Sequence, residues 1–355
     1  MKKNFIRFDE SVNLSLKKIM SSNKNTIYFG LGADDSGRVF NTTNDLKELF
    51  GNFRVFDTPL SENAMTGIAV GMSINNQIPI MSHQRLDFFL LAMDQLVNSA
   101  AKWNFMFGKQ KTVNMVIRLI VGRGWGQGPT HSQNLQSWFA HIPGLKVMAP
   151  SFPSTCSSIL EQAIMDKNPT IIIENRWCHQ IKESFKSYKK NLKKIRYGKS
   201  LKLNSGSDIT IVSSSYSTIE IYKCYKELKS NGISFDHIDL LSIKPLDINV
   251  IYKSVKKTGK ILILDNSSHK ICSIASEIIS LLINLNHKIF KSKPVILTLP
   301  DIHQPTSYYL TKKYFISKKH LLSSIFKLVN KSIKTKNIKE TRYHDIVKDN
   351  EIFDY

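Results

Sequence analysis

The sequence predicts an α/β protein made of two parallel-type α/β domains. Short β-branched runs alternate with helical patterns along most of the 355 residues. The alternation stops once, at a lysine-rich stretch, and then starts again. Apolar residues make up 42% of the chain, enough to bury two cores of ordinary size.

In the first half, "TIYFG" (26–30), "FRVFDT" (53–58), "IPIMS" (78–82), "VNMVIRLIV" (113–121), "LKVMAP" (145–150) and "TIIIEN" (170–175) read as strands. Most are continuous apolar runs, as expected of strands buried on both faces of a parallel sheet. "DFFLLAMDQLVNSAAKW" (87–103) and "TCSSILEQAIMDK" (155–167) read as helices, and the first twenty residues contain an amphipathic helix. The stretch 182–208 is polar and lysine-rich and reads as a linker or domain boundary. Beyond it, "ITIVSSS", "SFDHIDL", "KILILDN" and "PVILTLP" are strands. "STIEIYKCYKELKSNG" is a helix ending at Gly232, a C-cap signal, and "ICSIASEIISLLINL" and "SKKHLLSSIFKLVNKSI" are two more. The expected divisions are a first domain over 1–185, a linker over 186–207, a second domain over 208–332 and a polar tail over 333–355. The tail reads as disordered or as a segment that wraps a partner.

The net charge is +22, mostly from lysine. A nucleic-acid binder concentrates such charge and interleaves it with aromatic residues, whereas here it is scattered. It reads mainly as compositional bias, with a docking face for an acidic partner as the other reading. The four cysteines stand far apart without a C-x-x-C, which argues against a zinc site and a disulfide framework. No signal-peptide core and no apolar run of membrane-spanning length occur, so the expectation is a soluble, cytoplasmic protein without nucleic-acid or membrane partners.

No G-x-G-x-x-G follows a strand and there is no P-loop, which disfavours a dinucleotide or nucleoside-triphosphate site. Two stretches stand out instead. "DTPLSENAMTGIAVG" (57–71) puts Glu62 at the mouth of a helix that continues through Gly67, Ala69 and Gly71. "GRGWGQGPTHSQ" (122–133) is a glycine-rich loop presenting His131. Taken alone, the first is a glutamate complementing a helix dipole, and the second is a surface loop as readily as an active-site one.

Taken with "AMDQLVNSAAK", "HSQNLQSWFAHIPGLKVMAPS", "AIMDKNPTIIIEN", "SDITIVSSS", "GISFDHIDLLSIKPLD" and "VKKTGKILILDN", these stretches resemble the β subunit of the E1 component of 2-oxoacid dehydrogenases. Those enzymes use thiamine diphosphate to act on pyruvate, branched-chain oxoacids or acetoin. The resemblance runs in order over about residues 10–330. It implies a pyrimidine-binding domain followed by a transketolase C-terminal domain. It also implies decarboxylation of a pyruvate-like 2-oxoacid, with transfer of the acyl group to lipoamide on an E2 partner.

The resemblance assigns roles to particular residues. Glu62 matches the carboxyl group that bonds the aminopyrimidine N1′ and so drives proton removal from the thiazolium. Phe88 matches the aromatic residue that stacks on the aminopyrimidine. His131 matches the active-site histidine that meets substrate or the lipoyl group, while His141 looks structural. The small residues after Glu62 suit a helix at a subunit contact. Met115, Ala163, Ile164, Asp166 and Asn168 match a potassium loop, mostly through backbone carbonyls. The G-D-G motif that holds Mg²⁺ and the diphosphate in this family occurs nowhere in the chain. A second, α-type subunit must then supply it, and the implied assembly is α2β2.

The chain also departs from the family. Leu31 and Ser82 stand where acids are common, and His83 and Arg85 where the family is apolar or aromatic. Losing two acids alters the proton path between paired sites, and Arg85 suits a more anionic substrate. These departures sustain a rival reading, a thiamine diphosphate transketolase or carboligase subunit that works without a lipoyl partner.

Overall fold

A computed structural model describes residues 4–35, 37–122, 127–333, 338 and 351–355. The first sheet has seven strands. Across it lie Ser242–Lys244, Lys146–Met148, Thr170–Asn175, Val116–Val121, Ile78–His83, Thr26–Gly30 and Val55–Phe56. All neighbours are parallel except Ser242–Lys244, an antiparallel edge contributed from the far side of the lysine-rich stretch. Every residue of Val116–Val121 and Thr170–Asn175 is buried, which explains why apolar residues dominate both, interrupted only where Arg118 and Glu174 pair and at the ends Thr170 and Asn175. The second sheet runs Val295–Leu299, Ile261–His269, Ile209–Ser213, Phe235–Asp239 and Leu201–Asn204, with only the last antiparallel. One apolar cluster joins the two halves, since Phe139, Val147 and Ile173 share it with Val212, Ile238 and Ile263.

Three segments differ from the sequence expectation. Residues 87–103 do not form one regular α-helix. A turn at Leu86–Phe89 passes into a 3₁₀ turn at Leu90–Ala92 and a π-helix at Gln95–Ala100. The buried residues explain the change of pitch. Leu86, Phe89 and Ala92 recur every third residue and suit a tight turn, whereas Ala92, Leu96 and Ala100 recur every fourth and suit a wide one. The helix expected after 217 is broken at Cys224 into Tyr216–Tyr222 and Tyr225–Ser230, and Gly232 closes it in the left-handed region at φ +64°.

The lysine-rich stretch contains a helix, Phe185–Leu192, and the strand Leu201–Asn204. The helix escaped sequence reading because polar residues, Ser187 and Asn191, form its buried positions. They bond to the carbonyl oxygen of Tyr355, and Asn191 also bonds to Glu183. The last described residues therefore pack on the chain itself rather than lying loose. Ile352–Phe353 pairs with Lys182–Ser184, and the Tyr355 ring packs on Phe152 at 4.1 Å.

Inside the first sheet, Arg118 on Val116–Val121 grips Glu174 on Thr170–Asn175 with two hydrogen bonds of 2.6 and 2.9 Å. It also donates to the Tyr28 hydroxyl on Thr26–Gly30 at 2.9 Å, and His179 bonds Glu174 at 3.1 Å. Burial alone would raise the Glu174 pKa, but Arg118 and His179 outweigh it and hold the carboxyl at about 2. Arg118→Met would leave this carboxylate buried and uncompensated. The expected loss is about 3–5 kcal/mol in chemical denaturation at neutral pH. Because the folded pKa is depressed, the ion pair's contribution is complete above the unfolded value of 4.5 and disappears as pH falls toward 2. The difference between wild type and variant should therefore shrink across that window.

Candidate active site

Open parallel sheets present their loops for ligand binding at the carboxyl ends of the strands. Here that edge gathers Gly30–Gly32, residues 57–62, His83–Phe89, Gln127–Gln133 and Asn175–Arg176. Gly30 is required at its position, because a Cβ there would sit 2.2 Å from the Ser82 carbonyl oxygen. Asp57 accepts from the Gly32 and Thr58 amides at 2.9 and 2.8 Å, fixing the chain that leads into Glu62.

Glu62 is the first residue of the helix Glu62–Ile74 and is only 4% exposed. Its carbonyl accepts from Thr66 Oγ1, but among the described residues its carboxylate has no hydrogen-bond or ion-pair partner. Of the small residues that follow, Gly67 faces Gln95 within this chain and Ala69 is buried, while Gly71 faces open space. Leu60, Ile68 and Leu91 are well exposed nearby.

Phe88 and His131, 43 positions apart in sequence, meet edge to face at 5.5 Å with their rings at 86°. Phe88 remains 38% exposed, so it is no core residue. His131 shares a 2.8 Å hydrogen bond between Nδ1 and the Thr130 hydroxyl. Beside them, Asp87 accepts from the Gln133 amide and side chain at 3.3 and 2.9 Å, and burial raises its pKa. His141 lies exposed at the end of the helix Gln136–His141.

The sequence departures fall on both faces of the strand Ile78–His83. Ser82 is buried on the face shared with Tyr28, and Leu31 is half-buried. His83 points the other way, against Phe89 at 4.8 Å. It is 1% exposed, neither ring nitrogen has a partner among the described residues, and burial lowers its pKa to about 4. Arg85 donates twice to Gln127 Oε1, at 3.1 and 2.8 Å, and once to the Gln84 carbonyl at 2.6 Å.

Ala163, Ile164, Asp166 and Asn168 come together in one turn at the opposite end of the sheet, next to the start of the strand that follows Met115. Amides already occupy several of the oxygens. Asn114 bonds the Ile164 carbonyl, Asp166 N bonds the Ala163 carbonyl, Thr170 N bonds the Met115 carbonyl, and Asn168 bonds Asp166 Oδ1. Among the described residues, no group of three or more His, Cys, Asp or Glu side chains could hold a metal. Nor is any helix among them long and apolar enough to cross a membrane.

Sequence reasoning missed Arg176, which lies half-buried at the carboxyl end of Thr170–Asn175. Its position directly after a buried parallel strand was the available signal.

Comparison with known proteins agrees with this architecture. Residues 6–178 match the transketolase pyrimidine binding domain and residues 198–321 the transketolase C-terminal domain. A solved chain described as a split gene transketolase, inactive beta4 tetramer, has the same fold, with a TM-score of 0.73 at 21% identity over 92% of this chain and 99% of that one. The molecule is therefore a two-domain α/β protein of the transketolase-like, thiamine diphosphate-dependent class. The pyruvate dehydrogenase E1 component subunit beta of Porphyra purpurea is 33% identical over 83% of this chain and 88% of its own. That of Acholeplasma laidlawii is 34% identical over 83% and 90%. The acetoin:2,6-dichlorophenolindophenol oxidoreductase subunit beta of Cupriavidus necator is 34% identical over 70% and 73%. The chain belongs to the family of 2-oxoacid dehydrogenase E1 β subunits.

The orphaned His83 has a thermodynamic consequence. It is neutral when folded and charges when unfolded, so stability is lost as pH falls from 6.5 toward 4. His83→Phe should reduce the slope of unfolding free energy against pH in that window. His237, lowered to about 3 by burial, keeps its own share of the slope. An unchanged slope in pH-dependent urea melts would mean that His83 is hydrated in solution.

Proposed function

We propose that this chain is the β-type subunit of a thiamine diphosphate-dependent E1 that decarboxylates a pyruvate-like 2-oxoacid and passes the acyl group to lipoamide. One observation carries the reading: the Glu62 carboxylate, buried at the mouth of its helix without a hydrogen bond among the described residues. Burying a carboxylate unpaired is expensive, and a ring nitrogen able to share its proton relieves that expense. The residues thus fit an aminopyrimidine. When bound, the cofactor supplies an electron sink for the decarboxylation.

The chain's own residues then have separable tasks. Glu62 holds a proton at the pyrimidine nitrogen. Phe88 offers a half-exposed ring as a stacking surface. His131, oriented by Thr130, moves a proton at the substrate or at the acyl acceptor. An α-type subunit supplies the Mg²⁺–diphosphate half of the site, in an α2β2 assembly, and the exposed Leu60, Ile68 and Leu91 beside the Glu62 helix suit a protein contact. The turn 163–168, with Met115, would take a potassium ion through the free lone pairs of its carbonyls. A lipoyl-bearing E2 completes the reaction in the cytoplasm. The second reading, a carboligase without a lipoyl partner, draws on Leu31 and Ser82 standing in place of acids.

Glu62→Gln tests the assignment. The folded chain should be retained, while turnover in the complex with the cognate subunit should fall by about 10²–10⁴. Exchange of the thiazolium C2 proton should fall with it. His131→Ala should spare that exchange and still lose turnover; a joint fall would move His131 to the earlier step.

A further inference from the structure

The loop that presents His131 is fastened to the C-terminal domain on both sides of the histidine. Before it, Gly128 has φ +66°, and a Cβ added there would collide with the Thr306 hydroxyl, so the loop backbone rests directly on that side chain. After it, Gln136 donates from Nε2 to Asp265 Oδ2 at 3.1 Å and to Ser268 Oγ at 3.2 Å. Both acceptors belong to the strand Ile261–His269 of the second sheet.

The same junction encloses a small polar cavity. Val121 and Asn175, the last residues of two strands of the first sheet, line it together with Leu299, the last residue of Val295–Leu299 in the second. Ser132 and Asn134 line it from the His131 loop, and Gln304 lines it from the C-terminal domain. Gln304 is only 7% exposed. Ser132 Oγ, Asn134 Oδ1 and Gln304 Nε2 are buried atoms that make no hydrogen bond among the described residues.

Buried polar atoms are normally paired, so three unpaired ones around a single cavity call for a shared partner. Their chemistry is complementary: the Asn134 oxygen accepts, the Gln304 amide donates, and the Ser132 hydroxyl does either. A cation does not suit the set, because Gln304 brings a donor and no carboxylate among the described residues lines the space. The cavity volume, about 10 Å³, fits one water molecule and is too small for an organic group.

We propose that one buried water joins Gln304 to Ser132 and Asn134, and that Gln304 is thereby a positioning residue for His131. The water accepts from Gln304 Nε2, donates to Asn134 Oδ1 and bonds the Ser132 hydroxyl, the three partners usual for a buried water. Immobilising it costs less than leaving three buried groups unpaired. Ser132 directly follows His131, so the tie acts one residue from the imidazole. Phe88 and Thr130 meet the ring from its own domain, while the tie holds its backbone to the other. The position of the C-terminal domain is in this way transmitted to His131. The catalytic part of the proposal rests on the role given to His131 above, and the water site does not.

A crystal structure of the full chain that shows ordered water tests the site directly. One water should lie within hydrogen-bonding distance of Ser132 Oγ, Asn134 Oδ1 and Gln304 Nε2; an empty cavity, or the three side chains paired with one another, would overturn the proposal. Gln304→Met keeps the length of the side chain and removes the donor. Amide exchange over 127–134 should then quicken by roughly 5- to 10-fold, the loss of about one hydrogen bond, while the strands of both sheets keep their protection. Ser132→Ala, which reaches the cavity from the other domain, should do the same, and unchanged loop exchange in both variants would refute the tie. In the complex with the cognate subunit, Gln304→Met should lower turnover, spare exchange at the thiazolium C2, and add nothing to His131→Ala. A further loss in the double variant would contradict action through His131. If the complex turns over no 2-oxoacid at all, the functional reading fails while the water and the loop exchange still decide the site.

Discussion

The bidentate pair between Arg118 and Glu174 is the constraint on which the site depends. It lies wholly inside the first sheet and ties the two central strands together, while Tyr28 extends the tie to a third. The loops that leave those strands carry Gly30, Gln127, His131 and Arg176. Their relative positions are therefore set from within a rigid layer, which is how catalytic loops gain precision from a scaffold. Ion pairs in such a place add little net stability over an apolar core, yet they are costly to break one-sidedly. The benefit fits a requirement for one strand register, since a slip of one residue would turn Arg118 away from Glu174.

On that frame the edge is chemically unfinished. Glu62, His83 and Arg176 are buried or half-buried, and among the described residues the Glu62 carboxylate, both ring nitrogens of His83 and Nη1 of Arg176 have no hydrogen-bond partner. Each unsatisfied group favours binding something that satisfies it. A cofactor ring nitrogen suits Glu62. His83, on the face opposite Ser82, is packed against Phe89 inside the same edge. The unpaired groups cluster at one edge, which is what a site completed by other molecules requires.

Much of this was legible in the sequence. Thr26–Gly30 and Thr170–Asn175 coincide with their predicted runs because strands buried on both faces are dominated by β-branched and aromatic residues. Glu62, Phe88 and His131 are singled out by motif resemblance, and contact between the last two is a tertiary fact that no local pattern encodes. The π-helix was hidden because its spacing of four mimics an α-helical stripe. The helix Phe185–Leu192 was hidden because its inner face is serine and asparagine. Arg176 read as an ordinary charge after a strand. Only the fold brings it to Phe40 and Arg85, since residues 40, 85 and 176 leave different segments of the chain.

The central claim is that this chain carries half of a cofactor site, the half that meets the aminopyrimidine, and that phosphate anchoring comes from another polypeptide. Titration of the isolated chain with thiamine diphosphate and Mg²⁺, by calorimetry, tests this most directly. The account predicts no measurable binding to the chain alone and tight binding once the cognate α-type subunit is added, with Glu62→Gln weakening the latter. Micromolar binding to the isolated chain would contradict it.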